Sequence, residues 1–364
     1  MHSVSYFSTW IYFVIAFMFL ELISQGNNKA KMRRCGQTAF LIIYLFAILR
    51  YNIGNDYHSY WLMVTEHDMI DKLELLSGGI IDFVYYLGFP PTVFIIFSSI
   101  CLFSYKYVIS RYSSNQALSW FFYFTFPLLF FQDCSTLRQS GAMGCFFMAF
   151  AMMDKKDYVK TLLFVILAVL FHNSGYVCLL VFFLPLFKKV DLKVNIVALV
   201  ASLFAGKLVE RLVVSYLAGW GVADRFLYYI DQEMTGFNSF QYVLYGLNIL
   251  NLLFYKSLCK LDPRNALYIT LVNVGLCLFN VFQIEAQTAM RMAAFFLLFE
   301  LFIVPYYIGL LVKTGMTKRF ATVALWGIMF ALQLMMVVIY ISAYNKGALD
   351  TAVYTPYRLW LFNL

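Results

Sequence analysis

The sequence predicts an all-α polytopic membrane protein with about twelve transmembrane helices joined by short hairpins. Hydrophobic residues make up 62% of the 364 residues and charged residues only 13%, whereas soluble domains are about 45–50% apolar and about 25% charged. Long apolar runs recur along the whole chain, separated by short charged segments. This pattern excludes a soluble enzyme, a disordered chain and a protein with a single anchor. We expect one integral-membrane domain over residues 1–364.

The basic residues set the expected topology. The formal net charge is +8, but Lys and Arg occur in small clusters between apolar runs rather than on one face. We therefore expect no nucleic-acid partner. Lys and Arg are retained on the cytoplasmic side of a membrane. Placing residues 29–34 and each later cluster in the cytoplasm puts both termini outside.

Each apolar run is then one membrane crossing, except at residues 161–187. There the turn-forming sequence H-N-S-G at 172–175 favours a hairpin of two short spans. One long helix would place the basic cluster 188–193 outside and reverse every later loop. The other spans are residues 5–24, 37–50, 89–108, 117–133, 137–153, 194–217, 240–255, 266–283, 292–312 and 320–343. The main external segments are residues 51–80, 218–239 and the tail 344–364.

Several kinds of chemical site have no signal in the sequence. The seven cysteines show no C-x-x-C spacing, so we expect neither a disulfide framework nor a zinc site. Neither of the glycine-rich nucleotide-binding motifs, G-x-x-x-x-G-K-[ST] and G-x-G-x-x-G, is present, and the G-x-S-x-G serine nucleophile motif is absent too. We expect no metal and no cofactor.

Five arginines lie on the predicted external side, against the usual orientation rule: Arg50, Arg138, Arg225, Arg291 and Arg358. A planar guanidinium binds phosphate through paired hydrogen bonds and keeps its charge. One interpretation is that these arginines hold a lipid-linked pyrophosphate at the membrane boundary. The alternative is that each arginine reaches water or pairs with one external carboxylate.

Two further segments carry polar groups in unusual places. Residues 50–61 follow the second span and combine Asp56 with several aromatic side chains. Aromatic rings stack on sugars, but Tyr and Trp also form the interface belt of any membrane protein. His172 interrupts an apolar hairpin, so it is a candidate general base or orienting donor. The alternative for His172 is an imidazole satisfied within the turn.

Together these motifs resemble those of a known family. The run R-Y-N-I-G-N-D-Y-H-S-Y at 50–60 resembles the signature after the second span of EpsG-like and Wzy-type polysaccharide polymerases. L-R-Q-S-G-A at 137–142 and L-F-H-N-S-G at 170–175 resemble their R-Q span start and H-x-S hairpin. Arg291 opens a span that ends in Pro305 and resembles their late arginine. T-P-Y at 355–357 resembles their external Pro-Tyr. External segments of about 20–30 residues suit the EpsG-like branch.

The resemblance implies a glycosyltransferase that joins oligosaccharide repeat units carried on undecaprenyl pyrophosphate. Polymerisation would take place on the external face of the bacterial inner membrane, for O-antigen lipopolysaccharide or a related exopolysaccharide. The growing chain would leave its lipid and be attacked by a hydroxyl of the next lipid-linked unit. Implied partners are these lipid-linked oligosaccharides, the lipid bilayer, and a chain-length regulator and flippase of the same pathway.

The resemblance also assigns expected roles to individual residues. The leaving pyrophosphate would be bound by Arg50, Arg138 and Arg291. The catalytic base would be Asp56 or His172. Substrate contacts are expected from Tyr57, Tyr60, Arg225 and Tyr357. One alternative is a flippase or transporter of lipid-linked oligosaccharides, for which the candidate midplane charges are Lys207, Glu210, Arg211 and Glu300. The other is an O-antigen ligase or membrane acyltransferase.

Overall fold

The computed structural model describes residues 4–25, 28–68, 70, 73–212, 238–283, 286–347, 349 and 353–362. Side chains are described within these ranges except at residues 210–212, 238–241 and 286. Arg225, which was predicted to contact substrate, lies outside the described residues. So does nearly all of the predicted external segment 218–239.

The described chain is mainly α-helical. In chain order the helices are α1 Trp10–Ser24, α2 Lys29–Leu49, α3 Tyr57–Glu66, α4 Leu75–Leu87, α5 Pro91–Tyr112, α6 Gln116–Thr125, α7 Phe130–Ser135, α8 Leu137–Asp154, α9 Tyr158–Phe171, α10 Leu184–Phe187, α11 Leu192–Leu212, α12 Asn238–Leu253, α13 Tyr255–Leu261, α14 Asn265–Phe282, α15 Ala286–Leu297, α16 Glu300–Lys313 and α17 Lys318–Asn345. The chain also forms 3₁₀ helices at Tyr6–Thr9, Asn173–Phe183 and Trp360–Phe362, and two short strands, β1 Arg50–Tyr51 and β2 Arg358–Leu359.

Six described helices are long and apolar enough to cross a membrane. They are Tyr6–Ser24, Lys29–Leu49, Pro91–Tyr112, Leu192–Val209, Asn265–Phe282 and Lys318–Asn345. A seventh crossing is added if α15 and α16, which meet at a bend of 59°, together form one span. The predicted fold class, an all-α polytopic membrane protein, is thus confirmed. The count of twelve spans and the single integral-membrane domain stay predictions.

Several predicted elements differ from the observed ones. Residues 117–133 are not one continuous helix, because α6 ends at Thr125 and α7 begins at Phe130. Pro127 lies in this break, where it lacks a backbone N–H and disfavours helical backbone at the residue before it. The predicted external segment 51–80 contains all of α3 and the start of α4. Asp133, which the predicted spans 117–133 and 137–153 place at the external end of their hairpin, lies in α7 and is only 7% exposed.

The interruption predicted at residues 172–175 is present. Helix α9 ends at Phe171, and His172 has extended backbone before the following 3₁₀ helix. Gly175 lies so close to the last turns of α9 that a Cβ there would be 2.3 Å from the Ala168 carbonyl oxygen. Only glycine fits this approach without a shift of the backbone.

The described chain forms two compact units. The first contains Met1–Val181 and Val304–Leu364, and the second contains Phe182–Ile303. In the first unit α2 packs against α5 and α6, α5 against α8, and α8 against α9. Aromatic rings fill its centre, where the Phe124 ring centroid lies 5.1 Å from that of Phe130 and 5.6 Å from that of Phe46.

In the second unit α14 packs against α11, α12, α13 and α15. Buried asparagines link these helices. Asn273 Nδ2 donates to the Asn195 carbonyl at 2.9 Å, and Asn248 Nδ2 donates to Asn273 Oδ1 at 2.9 Å. Glu300, one of the candidate midplane charges, is buried in this unit and accepts from Asn251 Nδ2 at 2.6 Å. These bonds satisfy polar groups that would be costly to leave unpaired in an apolar core.

The predicted topology can be tested by cysteine labelling of intact spheroplasts. Asn173 and Gly347 are both exposed and both predicted outside, so Asn173→Cys and Gly347→Cys should react with a membrane-impermeant maleimide. Lys156→Cys, exposed and predicted inside, should react only after permeabilisation. Labelling at 347 only after permeabilisation would contradict the hairpin over residues 161–187, because a single long helix there would place residue 347 inside.

Candidate active site

The centre of the candidate site is an ion pair between α4 and α8. Arg138 stands in the first turn of α8, and Glu74 directly precedes α4. Arg138 Nη1 donates to Glu74 Oε2 at 2.5 Å, with the two side chains 25% and 10% exposed. Arg138 Nε is buried and has no hydrogen-bond partner in the described chain. A partly buried guanidinium with a spare N–H is suited to bind an anionic group.

The same carboxylate reaches the break after α9. Glu74 Oε1 accepts the backbone N–H of Asn173 at 3.0 Å. One turn later, Ser77 Oγ donates to the Phe171 carbonyl at 2.6 Å. The start of α4 is therefore fastened to both sides of His172, and Glu74 connects Arg138 with this break.

His172 is held in one orientation by its own turn. Its side chain is 9% exposed, and its Nδ1 accepts the backbone N–H of Ser174 at 3.0 Å. Ser174 Oγ lies 2.7 Å from the same nitrogen. Because Nδ1 accepts a backbone hydrogen bond, a neutral His172 carries its proton on Nε2. In this tautomer His172 is a hydrogen-bond donor, which favours the orienting role over the general base.

The charge of Glu74 is maintained at neutral pH. Burial by itself would raise the pKa of Glu74, but the backbone N–H groups of Asn173 and of Glu74 itself donate to the carboxylate. The positive charge of Arg138 and the neighbouring His172 imidazole act in the same direction, and the net effect is a pKa below the ordinary glutamate value. Glu74 is therefore an ionised partner for Arg138 and a weak base.

Helix α3 brings two further predicted residues to this group. Tyr60 is buried, and its hydroxyl accepts the backbone N–H of Arg138 at 3.4 Å. Burial raises the pKa of Tyr60, and the nearby charge of Asp56 raises it further, although Arg138 opposes both. Asp56 is half-buried and precedes α3. The structure thus gathers Asp56, Tyr60, Arg138 and His172, together with Glu74.

Arg50 is not among these contacts. Its side chain is fully buried, with Nη1 donating to the Ala47 carbonyl and to Ser98 Oγ, the latter at 3.0 Å. Nη2 donates to the Cys134 carbonyl at 3.4 Å. Arg50 therefore joins α2, α5 and α7 from inside, and in this conformation it does not face the surroundings of the protein. Its predicted contact with pyrophosphate stays a prediction.

The structural role of Arg50 can be measured. Arg50→Ala leaves three buried acceptors without their donor, and each unsatisfied group costs about 1–3 kcal/mol. We expect a loss of about 3 kcal/mol or more in the free energy of unfolding and a clear fall in the Tm of the protein in detergent. The control is Arg264→Ala, which removes an arginine of an exposed ion pair with Asp262. A Tm equal to that of the control would contradict this role.

The two other predicted tyrosines are also engaged within the protein. Tyr57 is buried, with its ring stacked on Phe94 at 4.2 Å between centroids. The Tyr357 hydroxyl donates to the Phe46 carbonyl at 2.9 Å, next to the pairing of β1 with β2. Tyr357 thus fastens the C-terminal segment to the end of α2. Sugar binding by Tyr57 and Tyr357 stays a prediction.

Arg291 belongs to the second compact unit, on α15, where its side chain is half-buried. Its shared binding of a pyrophosphate with Arg138 stays a prediction.

Glu74 is the residue of the site that sequence reasoning missed. In the sequence it is one of many acidic residues on the predicted external side. The available signal was its position directly before the apolar stretch of α4. The alternative considered for each arginine, pairing with one carboxylate, is what the structure shows for Arg138.

The family model named EpsG family matches residues 34–359, nearly the whole chain. The match includes every residue of the candidate site and supports a polysaccharide-polymerase-like membrane protein. No curated protein and no solved structure matches the sequence. The family match agrees with the motifs at residues 50–60, 137–142 and 170–175, and the chain belongs to the EpsG family.

Proposed function

We propose that this protein polymerises oligosaccharide repeat units linked to undecaprenyl pyrophosphate, on the external face of the inner membrane. One observation carries the proposal in this chain of the EpsG family. Glu74 pairs with Arg138 and also accepts the backbone N–H of Asn173, next to His172, so residues that are far apart in the sequence form one group. The reaction needs a fixed positive charge near the leaving pyrophosphate. Arg138 supplies that charge, and its unpartnered Nε–H supplies a donor.

In the proposed reaction a hydroxyl oxygen of the acceptor unit attacks the anomeric carbon that joins the growing chain to its lipid. The bond from that carbon to the pyrophosphate oxygen breaks, and its electron pair leaves with undecaprenyl pyrophosphate. Arg138 and the Nε2–H of His172 stabilise the charge on the leaving group. The hydroxyl proton passes to Asp56, the carboxylate beside Tyr60. Energy comes from the leaving group, so no nucleotide is needed.

The decisive experiment uses the purified full-length protein in detergent micelles with lipid-linked repeat units as the only substrate. A polymerase produces a ladder of longer chains and releases undecaprenyl pyrophosphate in equal amount to the bonds formed. A flippase or transporter needs two compartments and produces no ladder in micelles. Transfer of a single unit without further growth would instead indicate a ligase. Either of these outcomes would contradict the proposal.

Glu74 is placed to orient Arg138 through their ion pair, and a substitution of Glu74 tests this role. Glu74→Gln keeps an oxygen that can accept from Asn173 but removes the ion pair. We expect kcat/KM for the lipid-linked donor to fall about tenfold, mainly through a raised KM, because Arg138 is no longer pre-organised. The control is Asp262→Asn, which breaks the exposed pair with Arg264 and should leave the kinetics unchanged.

We also expect Glu74→Gln to change how the Tm of the protein depends on pH in the acidic range. Because the folded-state pKa of Glu74 is depressed, its ionisation stabilises the folded protein at neutral pH. That stabilisation is lost as the pH falls through the folded pKa. The Glu74→Gln protein should therefore show a smaller loss of Tm below the ordinary carboxyl pKa than wild type. An unchanged acid dependence of Tm would mean that Arg138 and Asn173 do not stabilise the carboxylate.

A further inference from the structure

A cavity in the first unit lies at the opposite end of α2 from Arg50. It has a volume of about 280 Å³ and is formed by the start of α2, the end of α5 and the start of α6. We call it the basic pocket; the residues used below are Arg33, Gln37, Lys106, Tyr107, Gln116 and Trp120. Arg33 lies on α2 and Arg50 directly follows its last residue, so the two are seventeen positions apart, which corresponds to about 25 Å at 1.5 Å per residue. The basic pocket is therefore separate from the candidate active site.

The charge around the basic pocket is positive. Within the described part of the chain, neither Arg33 nor Lys106 makes an ion pair. Lys106 Nζ lies 4.4 Å from the ring centroid of Phe40 and 5.5 Å from that of Phe103. These rings stabilise the ammonium group without neutralising its charge. Two cations with no carboxylate partner, in one cavity, favour an anionic ligand.

The neutral residues of the basic pocket add hydrogen-bonding groups. Gln37 and Gln116 supply amides and Tyr107 a hydroxyl. Gln116 Nε2 also donates to the Ser110 carbonyl at 3.2 Å, and the Tyr107 hydroxyl accepts from Lys155 Nζ. Gly36 allows α6 to approach α2 here, because a Cβ at Gly36 would lie 2.5 Å from the Gln116 side chain. The pocket is thus shaped by a close helix contact and is not only a patch of surface lysines.

An apolar surface continues from the basic pocket along the helices. Leu41 and Leu45 follow Gln37 at intervals of four residues, so all three share one face of α2. Leu41 is 50% exposed and Leu45 is 42% exposed, and Phe103 on the neighbouring α5 is 49% exposed. A polar, positively charged cavity that leads into exposed apolar side chains matches a phospholipid, whose phosphate is attached to acyl chains. A free phosphate would contact only the positively charged cavity and not the apolar side chains.

We propose that the basic pocket binds the headgroup of an anionic phospholipid, with its acyl chains along Leu41, Leu45 and Phe103. The basic clusters at this end of the unit, residues 29–34 and 155–160, are those expected in the cytoplasm. Anionic lipids of a cytoplasmic leaflet attract such residues, and basic pockets between helices bind their headgroups. This site goes beyond the proposed polymerase reaction and would act at the other face of the membrane.

The test is native mass spectrometry of the purified full-length protein in detergent, titrated with phosphatidylglycerol or phosphatidylcholine. We expect wild type to bind phosphatidylglycerol preferentially. Arg33→Gln with Lys106→Gln should weaken that binding about 10- to 30-fold, from the loss of two basic contacts. The matched control is Arg34→Gln with Arg111→Gln, which removes the same charge from the same two helices at exposed positions outside the pocket. Equal binding by both double variants would overturn the proposal.

Further measurements separate weaker lipid binding from a loss of folding and from the binding of a free anion. Arg33→Lys with Lys106→Arg retains both charges and should bind within about threefold of wild type. An unchanged Tm of the glutamine variant in the absence of added lipid shows that folding is not the cause of weaker binding. Inorganic phosphate at millimolar concentration should not displace phosphatidylglycerol. Displacement by phosphate would assign the pocket to a free anion and overturn the lipid assignment.

Discussion

Replacing Arg138 by glutamine is expected to lower the rate of polymer formation about 10²–10³-fold, equivalent to about 2.7–4 kcal/mol of transition-state stabilisation. The reason is that Arg138, which is paired with Glu74 and lies beside Tyr60, has a buried N–H that no group in the described chain accepts. The measurement is the initial rate of ladder growth with purified protein and lipid-linked units at saturating concentration. Membrane insertion should change little. The Tm should fall, because Glu74 is left without its ion-pair partner, so the rates are compared well below the Tm of both proteins.

Two variants decide whether this loss reflects phosphate binding. Arg138→Lys should recover only part of the rate, because a point charge lacks the paired N–H groups of the guanidinium. Arg264→Gln breaks an exposed arginine–carboxylate pair elsewhere and should polymerise like wild type. A glutamine variant that makes chains of normal length at the normal rate would exclude Arg138 from binding the leaving group.

The ion pair with Glu74 is compatible with this role. One nitrogen of the guanidinium is bonded to the carboxylate, and Nε is buried without a partner. A pyrophosphate can bind through the remaining N–H groups or replace Glu74 on Nη1, since it carries more negative charge. Replacement of Glu74 would release its carboxylate, which also accepts the backbone N–H of Asn173 next to His172.

The fold class could be predicted because composition and the spacing of charged clusters depend on the membrane and not on tertiary contacts. The boundaries of long apolar helices such as α5 and α14 follow from the same signal. The break between α6 and α7 was missed, although Pro127 is a local signal for it. Hydropathy averaged along the chain does not show such a break, because the residues next to Pro127 are as apolar as those of the two helices.

The candidate site could be predicted only in part. Arg138, His172, Asp56 and Tyr60 are conspicuous because each is polar or charged at the end of an apolar run. The pairing of Arg138 with Glu74 joins residues 64 positions apart, and no local pattern encodes such a contact. Arg50 looked equivalent to Arg138 in the sequence, yet carbonyl oxygens of α2 and α7 surround its side chain. Burial depends on the packing of several helices, so sequence alone could not separate the two arginines.

The second large effect is expected at Asp56. If its carboxylate accepts the proton of the acceptor hydroxyl, Asp56→Asn should lower kcat about 10²–10⁴-fold, the usual contribution of a general base. His172→Ala should cost less, about tenfold, because a neutral His172 carries its proton on Nε2 and in the proposed mechanism would only donate a hydrogen bond to the leaving group. His172→Gln restores an N–H donor and should recover part of that loss. Asp262→Asn serves as the control for loss of a carboxylate.

The same variants also test the opposite assignment, in which His172 and not Asp56 is the general base. A 10²–10⁴-fold loss in His172→Ala, with a loss of tenfold or less in Asp56→Asn, would make His172 the base and would require its other tautomer during the reaction. Normal rates in both variants would remove acid–base catalysis from the mechanism. In that case the good leaving group and the alignment of donor and acceptor would carry the reaction, and the charge of Arg138 would be the main chemical contribution of the protein.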